Sequence, residues 1–301
     1  MFTPQANQRG ILLMVAGTAV FAANDACSKL AAAHMPASQI LAVRGLMAAL
    51  MLAIILGLRG QLTGVRHVAD KRVLLRSSAE AVSAFLYITA LGFIGLADAS
   101  AIMQVSPLVT MAAAVLFLGT RIGGKRWLAV AAGFIGVLLV VKPGAGTFQA
   151  AALLPVVSTF LISFRDFVTG RIAAHVPTLI VTLVTACFGM MAGLVGSGFE
   201  AWQSLDLAAY AILFLGAVTL ICGHMLVISA FRAAHPSVVA PFRYANVPFA
   251  VAYGAWLFDM RPDAIALAGM ALIIAAGVYT VRNQRREGRR AVEAALPGPA
   301  E

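Results

Sequence analysis

The sequence predicts an all-α integral membrane protein whose ten transmembrane helices form two inverted five-helix repeats, with both termini in the cytoplasm. Three observations predict it. Of 301 residues, 61% are hydrophobic and 11% charged, with a mean hydropathy of +0.92. A soluble domain carries about 25% charged residues, so too little polar surface is present to cover a water-soluble core. The apolar residues also fall into runs of the roughly 20 residues a helix needs to cross a bilayer. Third, Asp25 recurs as Asp166, and the same step (166 − 25 = 141) carries much of the chain onto itself.

That step takes His34 and Pro36 to His175 and Pro177, and Gly136 to Gly277. It takes Pro107, Ala114, Leu116 and Phe117 to Pro248, Ala255, Leu257 and Phe258. Matched Ala or Leu means little in so apolar a chain; matched Asp, His and Pro at one offset means a great deal. Each copy holds five runs, and an odd number of crossings turns the second copy upside down, a common plan of secondary transporters. The first repeat is 11–142 and the second 150–281, joined by Lys142-Pro143-Gly144-Ala145-Gly146. Residues 282–301 form a polar cytoplasmic tail, expected to be unstructured beyond its first turn.

In order, the spans are 11–30, 38–58, 73–94, 99–119, 126–142, 150–172, 178–197, 207–231, 237–258 and 263–281. Unpaired backbone groups are too costly in lipid, so each run is helical. The alternation of a membrane β-barrel strand is missing. Only ten residues precede span 1, which is too long for a signal-peptide core and has no small-residue cleavage site after it. It remains as an uncleaved span.

The net charge of +10 invites a nucleic-acid reading, but its distribution excludes one. With the N-terminus inside, the cytoplasmic segments hold Arg9, Arg59, Arg66, Lys71, Arg72, Arg76, Arg121, Lys125, Arg126, Arg171, Arg232, Arg282, Arg285, Arg286, Arg289 and Arg290. The opposite side holds Lys29, Lys142 and Arg261. The positive-inside rule sets both termini in the cytoplasm of a multi-pass inner-membrane protein. The basic tail reads first as a solvated stop-transfer flank and second as a contact for anionic lipid.

Three local motifs weigh less. Gly119-Thr120-Arg121-Ile122-Gly123-Gly124-Lys125-Arg126 resembles a P-loop through its last Gly-Lys, but Arg126 stands where a magnesium-binding hydroxyl belongs and no strand precedes it. A tight turn explains it better than ATP. Gly189 and Gly193 permit close helix approach, within the chain first and in a homodimer second. Cys27, Cys187 and Cys222 lie inside spans without paired spacing, which suggests packing and neither disulfide nor metal. No cofactor is implied.

Ionisable residues inside spans are costly and mark cavities or partners. Here they are Asp25, Arg44, Glu80, Arg165, Asp166 and Arg243. By helical rise, Asp25 and Arg44 lie about 9 Å below the outer face and form a candidate outer gate. Glu80, Arg165, Asp166 and Arg243 lie roughly 7–11 Å from the inner face and form an inner cluster. Plainer partners exist: Lys29 for Asp25 and Arg76 for Glu80, each at i,i+4. Asp166 points about 100° away from Arg165, and Arg243 has no acid within a turn, so each arginine needs a partner across the bundle (Glu80 or Asp166), an aqueous cavity or a substrate anion. A buried carboxylate among these would also serve proton coupling.

The run Arg243-Tyr244-Ala245-Asn246-Val247-Pro248 in span 9 matches Gln104, Ser106 and Pro107 in span 4. A mid-span proline frees a carbonyl and kinks the helix, making a polar spot near the bilayer centre where transporters bind substrate. Tyr244, Asn246, Gln104, Ser106 and Tyr87 join Arg165 and Arg243 as substrate-binding candidates; Asp25, Arg44, Glu80 and Asp166 are gating or coupling candidates. His224 is a further lining candidate, or a packed residue.

Certain stretches carry a family likeness. They are Arg44-Gly45-Leu46, the segment Ala90 to Ile102, Ser106-Pro107-Leu108, Phe117-Leu118-Gly119, Arg126-Trp127 and Gly133-Phe134-Ile135-Gly136-Val137. Across about residues 10–282 the chain resembles the EamA branch of the drug/metabolite transporter superfamily, which has ten helices in an inverted five-helix repeat. The resemblance implies a permease of the kind that carries riboflavin, S-adenosylmethionine, amino acids, metallophores or drugs. Thr120 and Met260 stand where the family often has Glu, so a role held by those carboxylates is absent.

The expected function is secondary transport of a small polar or zwitterionic metabolite, by alternating access and without ATP. Its site is expected among spans 1, 3, 4, 6, 8 and 9. The alternative is a membrane-embedded enzyme acting on a lipid or isoprenoid. Such chemistry wants Asp, His or Cys clustered with base or metal spacing, and the sequence has no Asp-x-x-Asp or His-x-x-x-His.

Overall fold

A computed structural model describes residues 4–60, 68–106, 108–109, 124–142, 149–169, 172, 176–233 and 239–295. Its helices are α1 Pro4–Ala32, α2 Ala37–Leu58, α3 Lys71–Leu91, α4 Leu96–Met103 and α5 Gly124–Val141. Then come α6 Leu153–Thr169, α7 Thr178–Gly196, α8 Leu207–Ala233, α9 Asn246–Phe258 and α10 Ala264–Ala295. Short 3-10 turns at Ala150–Ala152 and Ala240–Ala245 precede α6 and α9. No strand occurs among the described residues. Among those residues, Gln8–Ala32, Ala37–Leu58, Lys71–Leu91, Ala150–Thr169, Thr178–Gly196 and Leu207–Val227 are long and apolar enough to cross a bilayer. Trp127–Val141 and Ala264–Tyr279 are shorter apolar helices. The chain is an all-α, multi-pass membrane protein.

Local sequence explains the helix boundaries. Pro36 and Pro177, one 141-residue step apart, each stand extended immediately before a helix, α2 and α7. Asp70 caps α3, its carboxylate accepting the Arg72 N–H at 2.8 Å. Asp259 closes α9 in the left-handed region, at φ 50°. Two expectations need revision. The tail does not stop after one turn: α10 runs on to Ala295, because Arg, Gln, Glu and Ala favour helix and no proline intervenes before Pro297. Nor is the second polar interruption a kink at its proline. The first proline, Pro107, lies outside the described residues, beyond the end of α4 at Met103. The second interruption is the 3-10 turn, and Pro248 sits in the first turn of α9, where its missing N–H leaves no bond unmade.

Packing is pairwise. α1 lies along α8 and α3 along α6; α2 packs on α7, α5 on α10 and α4 on α9. Smaller contacts join α3 to α7, α2 to α8, α1 to α9 and α4 to α6. In lipid, such association depends on close van der Waals contact, which small residues permit. Gly45 of α2 faces the Met190 backbone of α7, where an added Cβ would come within 2.7 Å of the amide nitrogen. Gly193 of α7 faces Ser38 and Ala42 of α2 in the same way. The Gly-x-x-x-Gly pattern therefore contributes to packing within the chain. Gly136 and Gly269 oppose each other across α5 and α10, with an added Cβ 2.8 and 2.6 Å from the other's carbonyl.

Candidate functional site

α1, α2, α3, α4, α6, α8, the 3-10 turn and α9 enclose a cavity of about 520 Å³. Ligand pockets commonly span about 300–1,000 Å³, so this one holds a metabolite-sized molecule. Thr18, Phe21, Asp25 and Ser28 line it from α1. Their spacing of three, four and three residues puts them on one helical face. Arg44 enters from α2; Glu80, Ser83 and Tyr87 from α3; Ser100 from α4; Arg165 from α6; and His224 from α8. Gln104, Ser106, Arg243, Tyr244 and Asn246 come from the interrupted segments. Candidates drawn from separate helices thus meet at one place. Asp166 lies on α6, but its side chain is outside the described residues. So are Gly119 to Gly123 of the P-loop-like run, while Gly124 opens α5.

The polar side chains fall into two layers. Tyr87 lies seven residues beyond Glu80 on α3, about 10 Å along the axis. In the Tyr87 layer, its hydroxyl donates to Asp25 Oδ2 at 3.2 Å and meets Ser100 Oγ at 3.3 Å. The Asp25–Arg44 outer pair does not form as a direct ion pair. Arg44 Nη1 instead donates to Ser28 Oγ at 2.6 Å, with Asn24 Oδ1 at 3.5 Å. Asp25 is not paired with Lys29 either. Lys29 is buried and its Nζ donates to the carbonyls of Leu91 and Ile94, at 2.8 and 2.7 Å, beyond the last turn of α3. A cation suits that negative helix end, and the Phe258 ring lies 5.4 Å away.

In the Glu80 layer, Arg165 Nη1 lies 2.5 Å from Glu80 Oε2, and Arg76 Nη2 lies 3.5 Å from the same oxygen. Both partners weighed from sequence are therefore present, the i,i+4 arginine and the one across the bundle. Arg76 also donates to Thr185 Oγ1, which ties α3 to α7. Arg243 differs. It is exposed in the cavity, and among the described residues no carboxylate pairs with it. Its carbonyl accepts from Gln104 Nε2 at 2.7 Å, joining the two interrupted segments. Asn246 Nδ2 reaches the Thr18 carbonyl at 3.4 Å. Tyr244 contributes its ring, but its hydroxyl packs on Gly277 of α10, buried and without a hydrogen-bond partner among the described residues. His224 Nδ1 donates to the Leu220 carbonyl at 2.8 Å, and the ring sits edge-on to Phe21 with centroids 5.0 Å apart.

Asn24, Ser28, Ser83 and Phe21 were not singled out from sequence. The signal available for Phe21 and Ser28 is their spacing from Asp25 on one face of α1. Ser83 gave none, since a lone serine in a span reads as packing.

Residues 8–142 match the EamA-like transporter family. The chain is 30% identical over 222 residues to the riboflavin transporter of Rhizobium johnstonii, covering 73% of this chain and 72% of that one. It is 25% identical over 280 residues to the pseudopaline exporter CntI of Pseudomonas aeruginosa, covering 92% and 97%. A solved crystal structure matches with a TM-score of 0.63 at 19% identity, covering 92% of this chain and 98% of that one. That last likeness speaks for the fold alone.

Proposed function

From its place in the EamA-like transporter family, to which this chain belongs, we infer that it carries a small polar or zwitterionic metabolite across the bacterial inner membrane by alternating access. It is a secondary transporter and not an enzyme, like its named relatives. The observation that carries the mechanism is the cavity, walled by helices from both halves of the chain and lined with charge.

Ten spans in two inverted repeats, with both termini cytoplasmic, account for the packing. Advancing every helix by five exchanges α1–α8 with α6–α3, α3–α7 with α8–α2 and α1–α9 with α6–α4. It returns α2–α7, α4–α9 and α5–α10 to themselves. That invariance supports a two-fold relation, and in a repeat of five crossings the two-fold lies in the membrane plane. The basic residues then gather on one side, as the positive-inside rule requires.

Glu80–Arg165 serves as the inner gate, joining α3 of one repeat to α6 of the other. Parting it admits water or substrate to the cytoplasmic side, and Arg165 can then turn to a substrate anion. Arg126 leaves the P-loop-like run without its magnesium hydroxyl, so no ATP is used. The test is purified protein in sealed liposomes. Unchanged solute should move down its own or an ion gradient in the absence of nucleotide. Conversion of the solute, or strict dependence on hydrolysis, would overturn this reading.

A further inference from the structure

The charged groups of the cavity are not equally engaged. Glu80 is held by Arg165 and Arg76, and Arg44 by Ser28 and Asn24. Two charges remain open toward the cavity. Asp25 takes a single hydrogen bond, from Tyr87 to Oδ2, and no side-chain cation lies in ion-pair distance of it among the described residues. Arg243 has no carboxylate there. They lie at different levels. Asn246 is bonded to the carbonyl of Thr18, seven residues and about 10 Å along α1 from Asp25. Arg243 precedes Asn246 by three residues, and its carbonyl is bonded to Gln104, four residues and about 6 Å beyond Ser100 of the Asp25 layer. Between the two levels stands Phe21, with the His224 ring edge-on to it.

We propose that Asp25 and Arg243 are the two ends of one substrate site, which takes an elongated dipolar metabolite: a cationic amine at Asp25, an apolar or planar body against Phe21 and His224, and a carboxylate or phosphate at Arg243. This rests on the transporter reading and deepens it. Asp25, expected from sequence to gate the outer side, becomes a substrate ligand. The two levels lie about 6–10 Å apart by these two routes, and the two charges of the cargo stand on the order of that distance apart. A short α-amino acid cannot bridge them. A cargo supplying only one charge leaves the other end without a counter-charge in ion-pair contact, which costs affinity.

The test uses 4-(aminomethyl)benzoate, a rigid zwitterion with a planar body, against glycine, benzoate and benzylamine. Binding is read by thermal shift of the purified full-length protein, since a ligand of the folded state raises its apparent stability. The wild type should bind 4-(aminomethyl)benzoate about tenfold or more tightly than any of the other three, the effect of one charge-assisted hydrogen bond. Asp25→Asn should lose the advantage over benzoate while keeping that over benzylamine. Arg243→Gln should show the reverse. Equal loss against all four in both variants, an unchanged zwitterion preference in both, or wild-type preference for glycine or a singly charged probe would each overturn the proposal. So would a wild type that none of the four stabilises. Transport itself is scored separately, by solute movement through wild-type protein in liposomes. Either reading can thus fail without the other.

Discussion

The α1–α8 seam and the α3–α6 seam exchange under the five-helix step, yet they are held by different chemistry. α1 and α8 are joined by neutral contacts. Asn24 Nδ2 donates to the Gly216 carbonyl at 2.6 Å and reaches Thr219 Oγ1 at 3.4 Å. Gly17 and Gly223 let the helices close: an added Cβ at Gly17 would fall 2.8 Å from Val227, and one at Gly223 would fall 3.1 Å from the Phe21 ring. α3 and α6 share the reciprocal Ser83–Ser158 bonds, at 3.3 and 3.0 Å, and the Glu80–Arg165 pair. The 141-residue step places Arg165 where α1 has Asn24. The close approach at Gly17 and Gly223 together with the amide on a carbonyl makes that seam costly to part. An ion pair facing a polar cavity can trade its partner for water or cargo. In the mechanism proposed above, the α3–α6 seam is therefore the one that parts.

Glu80→Gln should break the comparison most severely. Removing one member of a buried pair costs about 3–5 kcal/mol, at the lower end here because the cavity admits water. Transport in liposomes should fall to background, and thermal stability should drop. The exchange Glu80→Arg with Arg165→Glu should recover part of the stability, though Arg76 then faces a like charge one turn along α3. A Glu80→Gln variant with full transport would remove the gate from α3–α6.

Gly17→Val tests the neutral seam next. The added methyls have nowhere to go against Val227 and Leu226, and overpacking of this kind costs about 1–3 kcal/mol. The melting temperature in detergent should fall while Glu80–Arg165 persists. Asn24→Ala sharpens the same contrast. It removes one of two side-chain donors to the Gly216 carbonyl, which keeps Thr219 Oγ1 at 3.1 Å, and a contact of Arg44, for a loss of about 1 kcal/mol. Transport should slow less than for Glu80→Gln; an equal loss would make the two seams alike.

The smallest effect belongs to a pair just beyond the helices, where α5 ends and α10 begins. Asp263 bonds Lys142 and also accepts the Ala266 N–H at 2.8 Å at the start of α10, and these hold its carboxyl below the ordinary value. With the folded value depressed, its stabilising contribution is present above the unfolded value of about 3.9 and lost as pH falls through the lower, folded value. Asp263→Asn should therefore match the wild type in melting temperature below that window and differ slightly above it. Because Asp263 is exposed, the difference at neutral pH should be small.

Much of the site was legible one helix at a time. Charged residues inside apolar spans announce themselves, and Asp25, Arg44, Glu80, Arg165 and Arg243 all line the cavity. Their partners were not legible. Lys29 read as a flank charge or an i,i+4 mate for Asp25; it caps α3 across the bundle. Tyr244 read as a substrate-binding residue; it lines the cavity while its hydroxyl turns to Gly277. Asn24 drew no notice beside Asp25, although it bonds a carbonyl 192 residues away.

By itself, then, the sequence determined an all-helical membrane protein, because hydropathy and helical rise act along one chain and lipid leaves the backbone no other choice. It also determined which residues must be explained, since charge in an apolar run is visible without a fold. Only the tertiary structure decided the pairing: Glu80 with Arg165, Arg44 with Ser28, Asp25 with Tyr87 and Arg243 with no carboxylate among the described residues. Those contacts depend on the rotation and axial register of packed helices. Both are set by where glycines let backbones approach across the bundle, and periodicity within a single helix carries no record of them.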